Sequence, residues 1–247
     1  KHYAERLTTD SSSSYRIAGY ALAVYQKRLV SSIRAIEASL RNHRAGLKAT
    51  TNSQGISEDD EELLERYFRD PSSLSNKKQN EAEQIASIPD TDLNTGRLDA
   101  DIEQVSSLID RAASLKMDSR AETLHDFIEQ TLAEDPDEKI LIFTEYTDTL
   151  EYLRDEILSE YAIAQIHGDL SQEQRSVEQR RFEEEAEILV ATDAAREGIN
   201  LQFAHIMVNY DLPWNPIRID QRVGRLHRYG QERKVSVYNL FIEESRE

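Results

Sequence analysis

Residues 139–143 read KILIF and residues 187–191 read EILVA, two short apolar runs that contain β-branched side chains. Runs of this length are typical of strands that are buried on both faces of a sheet. Three similar runs lie in the same half of the chain: AIAQI (162–166), HIMVNY (205–210) and KVSVYNLFI (234–242). Segments of helical pattern alternate with the runs. This alternation predicts right-handed βαβ units, and therefore an α/β domain with a parallel sheet over residues 116–247.

The first 115 residues have a helical pattern instead. From Tyr15 to Leu47, apolar residues recur at intervals of three, four and seven, which predicts one long helix with a single apolar face. Shorter helices are expected over 59–68, 75–87 and 97–115. We therefore expect an all-α region, residues 1–115, before the α/β domain. The helical pattern by itself indicates no function.

Small, hydroxyl-bearing or acidic residues follow four of the predicted strands. They are Thr144 and Glu145, His167 and Gly168, Thr192 and Asp193, and Asp211. In an open parallel sheet, ligands bind outside the carboxyl ends of the strands, so these residues form a candidate ligand rim. Because Thr, Asp and Gly are also common turn formers, the residue types alone leave both interpretations open.

A row of arginines follows the fourth run. Its members are Arg218, Arg222, Arg225 and Arg228. Their spacing of four, three and three would crowd the guanidinium groups onto one face of a helix, for which Asn215 and Pro216 supply an N-cap and a first residue. Residues 217–233 contain five arginines but only two acids. We therefore expect this face to meet an anion from elsewhere.

The charge of the chain is unevenly distributed. The formal net charge is -17, but residues 53–110 hold 15 acids against 5 bases, whereas residues 192–233 hold 5 acids against 6 bases. The acidity is thus concentrated away from the arginine row, and a nucleic-acid partner is not excluded. Arginine outnumbers lysine 22 to 8, and abundant acid with scarce lysine resembles the surface of a halophile's protein.

Composition excludes several other classes of protein. The chain has no cysteine, which rules out a disulfide framework or a thiolate metal site and suits a reducing, prokaryotic cytoplasm. The apolar runs are too short for a signal peptide or a membrane span. His167, His205 and His227 lack the spacing of metal ligands, and no nucleophile elbow occurs, so neither a metal site nor a triad enzyme is expected. With no initiator Met, the chain is expected to be a piece of a longer protein.

Four segments resemble, in the expected order, the second RecA-like lobe of superfamily 2 helicases and translocases. They are ILIFTEYTDTL (140–150), similar to motif IV; IHGDLSQEQR (166–175), similar to the next family block; ILVATDAAREGINL (188–201), similar to motif V; and QRVGRLHRYGQ (221–231), similar to motif VI. The resemblance covers roughly residues 117–242. The ending Gly230-Gln231 and the preceding DLPWNP (211–216) resemble Swi/Snf-type DNA translocases more than DEAD-box RNA helicases. Residues 1–115 look like the linker and protrusion of such proteins, without a matched motif.

The resemblance implies catalytic roles for the arginine helix, which in this family faces ATP held by the first lobe. Arg225 and Arg228 would be arginine fingers on the γ-phosphate, and Gln221 would help to hold them. Such guanidinium groups contribute on the order of 10³ to 10⁵ in rate. Arg222 departs from the small residue often found at its position, and we expect it to be a salt-bridged surface arginine.

The resemblance also implies ligand contacts elsewhere in the lobe. Thr144, Gly168 and Thr192 would contact the nucleic-acid backbone, where hydroxyl and backbone N–H groups bind phosphate without reading sequence. Gly198 and Asn200, in the segment similar to motif V, would lie near the nucleotide and relay its state.

No G-x-x-x-x-G-K-[ST] phosphate loop occurs in the 247 residues, and no DEAD-type acid pair ends a strand. The phosphate cradle and the Mg²⁺ ligands for ATP are therefore expected on an absent N-terminal lobe, and the chain alone is predicted to be an inactive ATPase. The resemblance implies the C-terminal half of an ATP-dependent translocase whose partner is double-stranded DNA. Two alternatives stay open: a lobe of a strand-separating RNA or DNA helicase, and a non-catalytic module that docks nucleic acid or a protein partner.

Overall fold

The computed structural model describes residues 25–49, 57–69, 74–86, 95–115, 117–193, 200–213, 215–227 and 230–241. The chain divides into two compact units, Lys1–Lys116 and Met117–Glu247. In the described residues, no helix is both long enough and apolar enough to cross a membrane.

The described part of the first unit consists of helices and the turns that flank them, which confirms the helical pattern. Residues 25–31 are helical, and the further helices are α1 (Ile33–Ala49), α2 (Glu58–Arg69), α3 (Asn76–Ala86) and α4 (Thr95–Ser114). The long helix expected from Tyr15 to Leu47 is interrupted at Ser32, because the Ser32 hydroxyl accepts a hydrogen bond from the Ala35 N–H at 3.0 Å and caps α1. The part of that helix before residue 25 lies outside the described residues.

The helical unit has apolar clusters of its own. Leu64 of α2 and Ile85 of α3 belong to one, and Leu47 of α1 and Ile109 of α4 belong to another. Each cluster joins helices that would each expose an apolar face if isolated.

A buried carboxylate also links these helices. Glu83 of α3 is 2% exposed and lies 2.7 Å from Nε of the fully buried Arg28. The Ser39 hydroxyl of α1 donates to Glu83 at 3.0 Å, and the Tyr67 hydroxyl of α2 donates to the same oxygen. Donors from three helical segments therefore offset the cost of burying this charge.

The second unit is a parallel sheet with helices on both faces, as predicted. Its elements are α5 (Ser119–Glu134), β1 (Ile140–Phe143), α6 (Thr147–Tyr152) with a π-helical turn (Leu153–Ile157), β2 (Ile163–Ile166), α7 (Gln172–Glu184), β3 (Ile188–Ala191), β4 (Ile206–Asn209), α8 (Pro216–Leu226) and β5 (Ser236–Asn239). In the described residues the strand order is β2-β3-β1-β4-β5, and every neighbouring pair is parallel. All the predicted runs form strands, each shorter than its run.

Side chains alternate along the strands, so the two faces of the sheet have separate cores. Ile142 and Val190 lie in the core that α5 and the π-helical turn cover. Leu141 and Leu189 lie in the other, which α7 and α8 cover. β1, β3 and β4 are buried on both faces, which is why they read as apolar runs rather than as alternating ones, whereas β5 is mostly exposed.

The sequence predicts a capping box at Ser171 and Gln174, an N-cap at Asn215 and a helix end at Gly230, and the structure agrees except at the end of α8. Ser171 Oγ accepts from the Gln174 N–H at 3.3 Å while Gln174 Oε1 accepts from the Ser171 N–H at 2.8 Å, which forms a capping box before α7. Asn215 caps α8. However, α8 ends at Leu226, about one turn before Gly230, which has a φ of 102°.

Candidate functional site

The strand ends that follow β1, β3 and β4 lie side by side at one edge of the sheet. The ladder continues one residue past the strands: the Thr144 N–H donates to the Ala191 carbonyl at 3.0 Å, and the Thr192 N–H donates to the Ile166 carbonyl at 2.9 Å. Parallel pairing thus brings together residues that are 47 and 26 positions apart in the sequence.

Arg222 lies at the centre of this edge and is fully buried. Its Nε donates to Asp193 Oδ1 at 2.9 Å, and Nη2 lies 2.9 Å from the same oxygen. Its Nη1 donates to Asn209 Oδ1 at 2.9 Å and to the Asp211 carbonyl at 3.1 Å. The guanidinium carbon lies 4.8 Å from the centre of the Phe143 ring. This side chain therefore fastens α8 to the ends of β1, β3 and β4.

The expectation of a surface arginine at position 222 is wrong. Arg222 is salt-bridged, as expected, but buried, because the ends of β3 and β4 supply acceptors that surround the guanidinium group. A buried guanidinium is tolerated only when its N–H groups are matched in this way.

Asp193 also forms an ion pair with a second arginine of α8, Arg218. Arg218 Nη1 donates to Asp193 Oδ2 at 2.9 Å, and the Arg218 side chain is 12% exposed. Arg233 likewise pairs with Glu138 at 2.8 Å. The expectation that the arginine row must meet an outside anion is therefore corrected for Arg218 and Arg222, whose anion, Asp193, follows a strand more than twenty residues earlier in the sequence.

Asp211 joins three further segments on the same edge. Arg120 Nη2 donates to Oδ1 at 3.0 Å, while the Thr144 hydroxyl and the Glu145 N–H donate to Oδ2 at 2.5 and 3.1 Å. The guanidinium of Arg120 also lies over the Tyr210 ring at 4.6 Å. These contacts tie the start of α5 and the end of β1 to the end of β4.

The predicted catalytic residues are only partly described. Arg225 lies half-buried in the last turn of α8, and its carbonyl accepts a hydrogen bond from the Leu201 N–H at 3.2 Å. The helix ends nearby at Leu226, because the next residue, His227, leaves the helical conformation. Gln221 is exposed on α8, and Arg228 lies outside the described residues. Their catalytic roles stay predictions.

The predicted nucleic-acid contacts differ in exposure. Thr144 is fully buried and Thr192 is 5% exposed, whereas Gly168, in the turn after β2, is exposed. Asn200, predicted to lie near the nucleotide, is half-buried and its carbonyl accepts from the Gln179 side chain at 2.9 Å. Gly198 lies outside the described residues. Thr144, Gly168 and Thr192 follow the carboxyl ends of β1, β2 and β3, and the roles of all four described residues stay predictions.

Sequence reasoning missed two residues that organise the site. Arg120 lies 91 residues before its partner Asp211, and no periodicity or motif signals it. Gln231 belongs to the segment similar to motif VI, but the resemblance gave it no structural role. Its Nε2 donates to the carbonyls of Gln202, Ala204 and Leu226 at 2.8, 3.0 and 3.3 Å.

Burial shifts the pKa values of two side chains at this edge. Burial lowers the pKa of His167 below its ordinary value, although Asp169 opposes this from 3.8 Å. Burial, with the charge of Asp118 adding to it, raises the pKa of Tyr210. The Tyr210 hydroxyl therefore stays protonated and donates to Asp118 at 3.2 Å.

The donors that α8 presents suit an anion rather than a metal ion, because guanidinium N–H groups match phosphate oxygens. In the described part of the chain, His125, Asp126 and Glu129 of α5 bring three possible metal-ligand atoms within 4.8 Å of one another. Two of these residues are exposed, and exposed acidic groups commonly cluster without an ion.

Comparison with known proteins identifies the second unit. Residues 119–230 match the helicase conserved C-terminal domain. The chain is 41% identical over 142 residues to the "Uncharacterized ATP-dependent helicase YqhH" of Bacillus subtilis (strain 168), which is 57% of this chain and 24% of that protein. It is 34% identical over 139 residues to the "RNA polymerase-associated protein RapA" of Pectobacterium atrosepticum, which is 54% of this chain and 14% of that protein. The chain thus spans about a quarter or less of these relatives.

A solved structure shares the fold over more of the chain. The C-terminal part of the Fun30 ATPase domain covers 95% of this chain and 70% of its own length, with a TM-score of 0.50 and 21% sequence identity. The domain match shows that residues 119–230 belong to the helicase conserved C-terminal domain family, and the motifs within them carry the resemblance to the second RecA-like lobe of Swi/Snf-type superfamily 2 proteins.

Proposed function

We propose that the protein containing this lobe is an ATP-dependent translocase that moves along double-stranded DNA. The observation that carries the proposal is the anchorage of α8, in which Arg218 and Arg222 both bind the buried carboxylate of Asp193. This anchorage fixes the helix whose last turn carries Arg225. A preorganised cation is what stabilisation of a transferring phosphoryl group requires.

In this proposal the ATP site forms between this lobe and a first RecA-like lobe, which supplies the phosphate cradle and the Mg²⁺ ligands. Hydrolysis of ATP supplies the free energy for movement. Arg225 and Arg228 donate to the γ-phosphate oxygens, and Gln221 helps to orient them. Gly198 and Asn200 lie next to the nucleotide and respond to its state.

The nucleic-acid contacts are proposed to be Thr144, Gly168 and Thr192. Hydroxyl and backbone N–H groups there hold phosphates without reading bases, so each lobe can release and regrip the backbone as the cleft between the lobes closes and opens. Base pairs need not open. The Swi/Snf-type ending of the segment at 221–231 favours duplex DNA over RNA.

The first experiment tests the arginine finger in the full-length protein. Arg225→Ala should lower kcat by about a hundredfold or more with little change in KM for ATP, because the first lobe supplies most ground-state contacts. Arg181→Ala is the matched control, since Arg181 lies 44% exposed on α7 and 3.8 Å from Glu178. An equal loss of ATP binding and turnover would contradict the finger role.

A second experiment separates the candidate functions. The full-length protein is given ATP with a duplex that carries a third strand in its major groove, and separately with DNA and RNA forks. Displacement of the third strand with the duplex intact supports the translocase. Efficient unwinding of a fork supports the helicase alternative instead, and the absence of any nucleic-acid-stimulated ATP turnover supports the docking module.

A further inference from the structure

We propose that Asp211 competes with the nucleic-acid backbone for the hydroxyl of Thr144. Asp211 would thereby control how tightly the candidate ligand rim at the strand ends holds a phosphate. The inference rests on the proposed function, because it requires Thr144 to be a phosphate contact. Asp211 is a positioning residue in this proposal, since it acts through Thr144 and does not itself touch the nucleic acid.

The competition follows from the chemistry of a hydroxyl group, which has one proton to donate. Thr144 Oγ1 gives that proton to Asp211 Oδ2 at 2.5 Å, a short hydrogen bond to a carboxylate. A phosphate oxygen is also an acceptor only. Thr144 therefore cannot donate to a phosphate until the bond to Asp211 breaks.

The burial of Thr144 and Asp211 imposes the same requirement on a phosphate ligand. Thr144 is fully buried and Asp211 is 6% exposed, so a phosphate reaches the hydroxyl only after the Thr144 side chain turns away from Asp211. A phosphate that approached without this change would also meet the carboxylate at close range, where two like charges repel strongly. Arg120 lies 3.0 Å from the other carboxylate oxygen, Oδ1, and reduces this repulsion.

Asp211 also reaches the arginine helix through its main chain. Its carbonyl accepts from Arg222 Nη1 at 3.1 Å, while its carboxylate keeps Arg120 and the Glu145 N–H when Thr144 turns away. Loss of the Thr144 donor therefore lets the carboxylate shift toward its remaining donors, and the carbonyl on the same residue moves with it. Occupancy of the rim and the position of α8 are linked through this one residue.

The test is a double-mutant cycle on the affinity of the full-length protein for a 30-base-pair DNA duplex. Asp211→Asn weakens the acceptor for the Thr144 hydroxyl, so binding should become about threefold to tenfold tighter. Thr144→Val removes the hydroxyl, so binding should weaken. In the Thr144→Val background, Asp211→Asn should change the affinity by less than about twofold, because no hydroxyl is left to compete for.

The matched control is Glu138→Gln. Glu138 is also a buried carboxylate, which pairs with Arg233 at 2.8 Å and lies 3.1 Å from His205 Nδ1, but it precedes β1, at the opposite end from Thr144. This substitution should leave the affinity unchanged. A tighter complex in Glu138→Gln, or the same effect of Asp211→Asn with and without the Thr144 hydroxyl, would mean that general loss of negative charge causes the change, and would overturn the proposal.

A second measurement uses the wild-type protein, in case Asp211→Asn does not fold. Hydrogen exchange at the Glu145 N–H should change when duplex binds, because that group shares Asp211 Oδ2 with Thr144. Thr144→Val should abolish the change at saturating duplex. An unchanged Glu145 N–H in wild-type protein that binds DNA would overturn the competition alone, whereas a wild-type protein that binds no DNA would overturn the proposed function and the inference with it.

Discussion

The guanidinium group of Arg222 satisfies two strand ends and a carboxylate at once, which lysine could not do with one ammonium group. Nε and Nη1 of its planar fork donate to Asp193, Asn209 and the Asp211 carbonyl from a single position. Burying this charge is costly, and its partners offset the cost only while all of them are present.

Arg222→Ala should therefore lower the free energy of unfolding of the second unit by about 3 kcal/mol or more, because it leaves the Asp193 carboxylate buried with one arginine fewer. Urea unfolding followed by the fluorescence of Trp214, the single tryptophan of the protein, measures this. Arg181→Ala, at an exposed ion pair on α7, should cost less than about 1 kcal/mol. Similar losses in the two variants would show that Arg222 is not buried as described.

His167 gives a prediction for pH. Burial lowers its pKa in the folded state below the ordinary 6.5, so the unfolded state binds the proton first as the pH falls. Its contribution to stability is thus constant above about pH 6.5, decreases as the pH falls below that value, and levels off below the folded-state pKa. His167→Gln should make the stability of the second unit less dependent on pH between 7 and 5. An unchanged slope, measured by urea unfolding at each pH, would contradict the burial of this imidazole.

At the scale of elements, α8 and the segment after it are held at both ends. Asn215 caps the first turn, and the Arg225 carbonyl bonds to Leu201 near the end. Beyond the helix, the amide of Gln231 binds three main-chain carbonyls. Rigid attachment on both sides suits a helix that must hold cations in place for catalysis.

Gln231→Ala should cost about 1 to 3 kcal/mol of stability, because it removes the donor from carbonyls that the fold leaves facing it. Gln231→Glu should cost at least as much, since a carboxylate would then face the same carbonyls. Gln221→Ala, at an exposed position of α8, should change stability by less than about 0.5 kcal/mol. Urea unfolding of the three variants measures their free energies of unfolding. Equal stability of all three would contradict a stabilising role for the hydrogen bonds of Gln231.

At the scale of the whole molecule, charge is the dominant feature. The net charge of -17 comes from 47 acids against 30 bases, and 29 of the acids but only 14 of the bases lie in residues 117–247. Like charges at this density repel one another and oppose compaction, an effect that salt screens.

We therefore expect the melting temperature to rise in molar KCl, as for the protein of a halophile. The screening length is about 3 Å at 1 M salt and about 10 Å at 0.1 M, so most of the repulsion disappears between these conditions. Thermal unfolding by circular dichroism in 0.1 and 2 M KCl measures the shift, with an equal osmolality of sucrose as the control for solvent exclusion. A melting temperature that does not rise with KCl would refute the halophilic interpretation.

Much of the fold could be predicted because the signals are local. The run ILIF forms β1, Ser171 and Gln174 form a capping box, and Asn215 caps α8. Each depends on residues within a few positions of one another. The resemblance to superfamily 2 lobes likewise depends on motif order along the chain, which the sequence displays directly.

The sequence by itself determined the strands, most helices, the order of the motifs and the family of the second unit. Only the tertiary structure decided that Arg222 is buried, that Arg120 bonds Asp211, and that α8 ends at Leu226. The reason is physical: periodicity and capping report the conformation of a few neighbouring residues, whereas the partners of these groups lie 29 and 91 residues away. Which acceptor a buried donor finds depends on how the strands are ordered in the sheet, and that order is set by the packing of the whole unit.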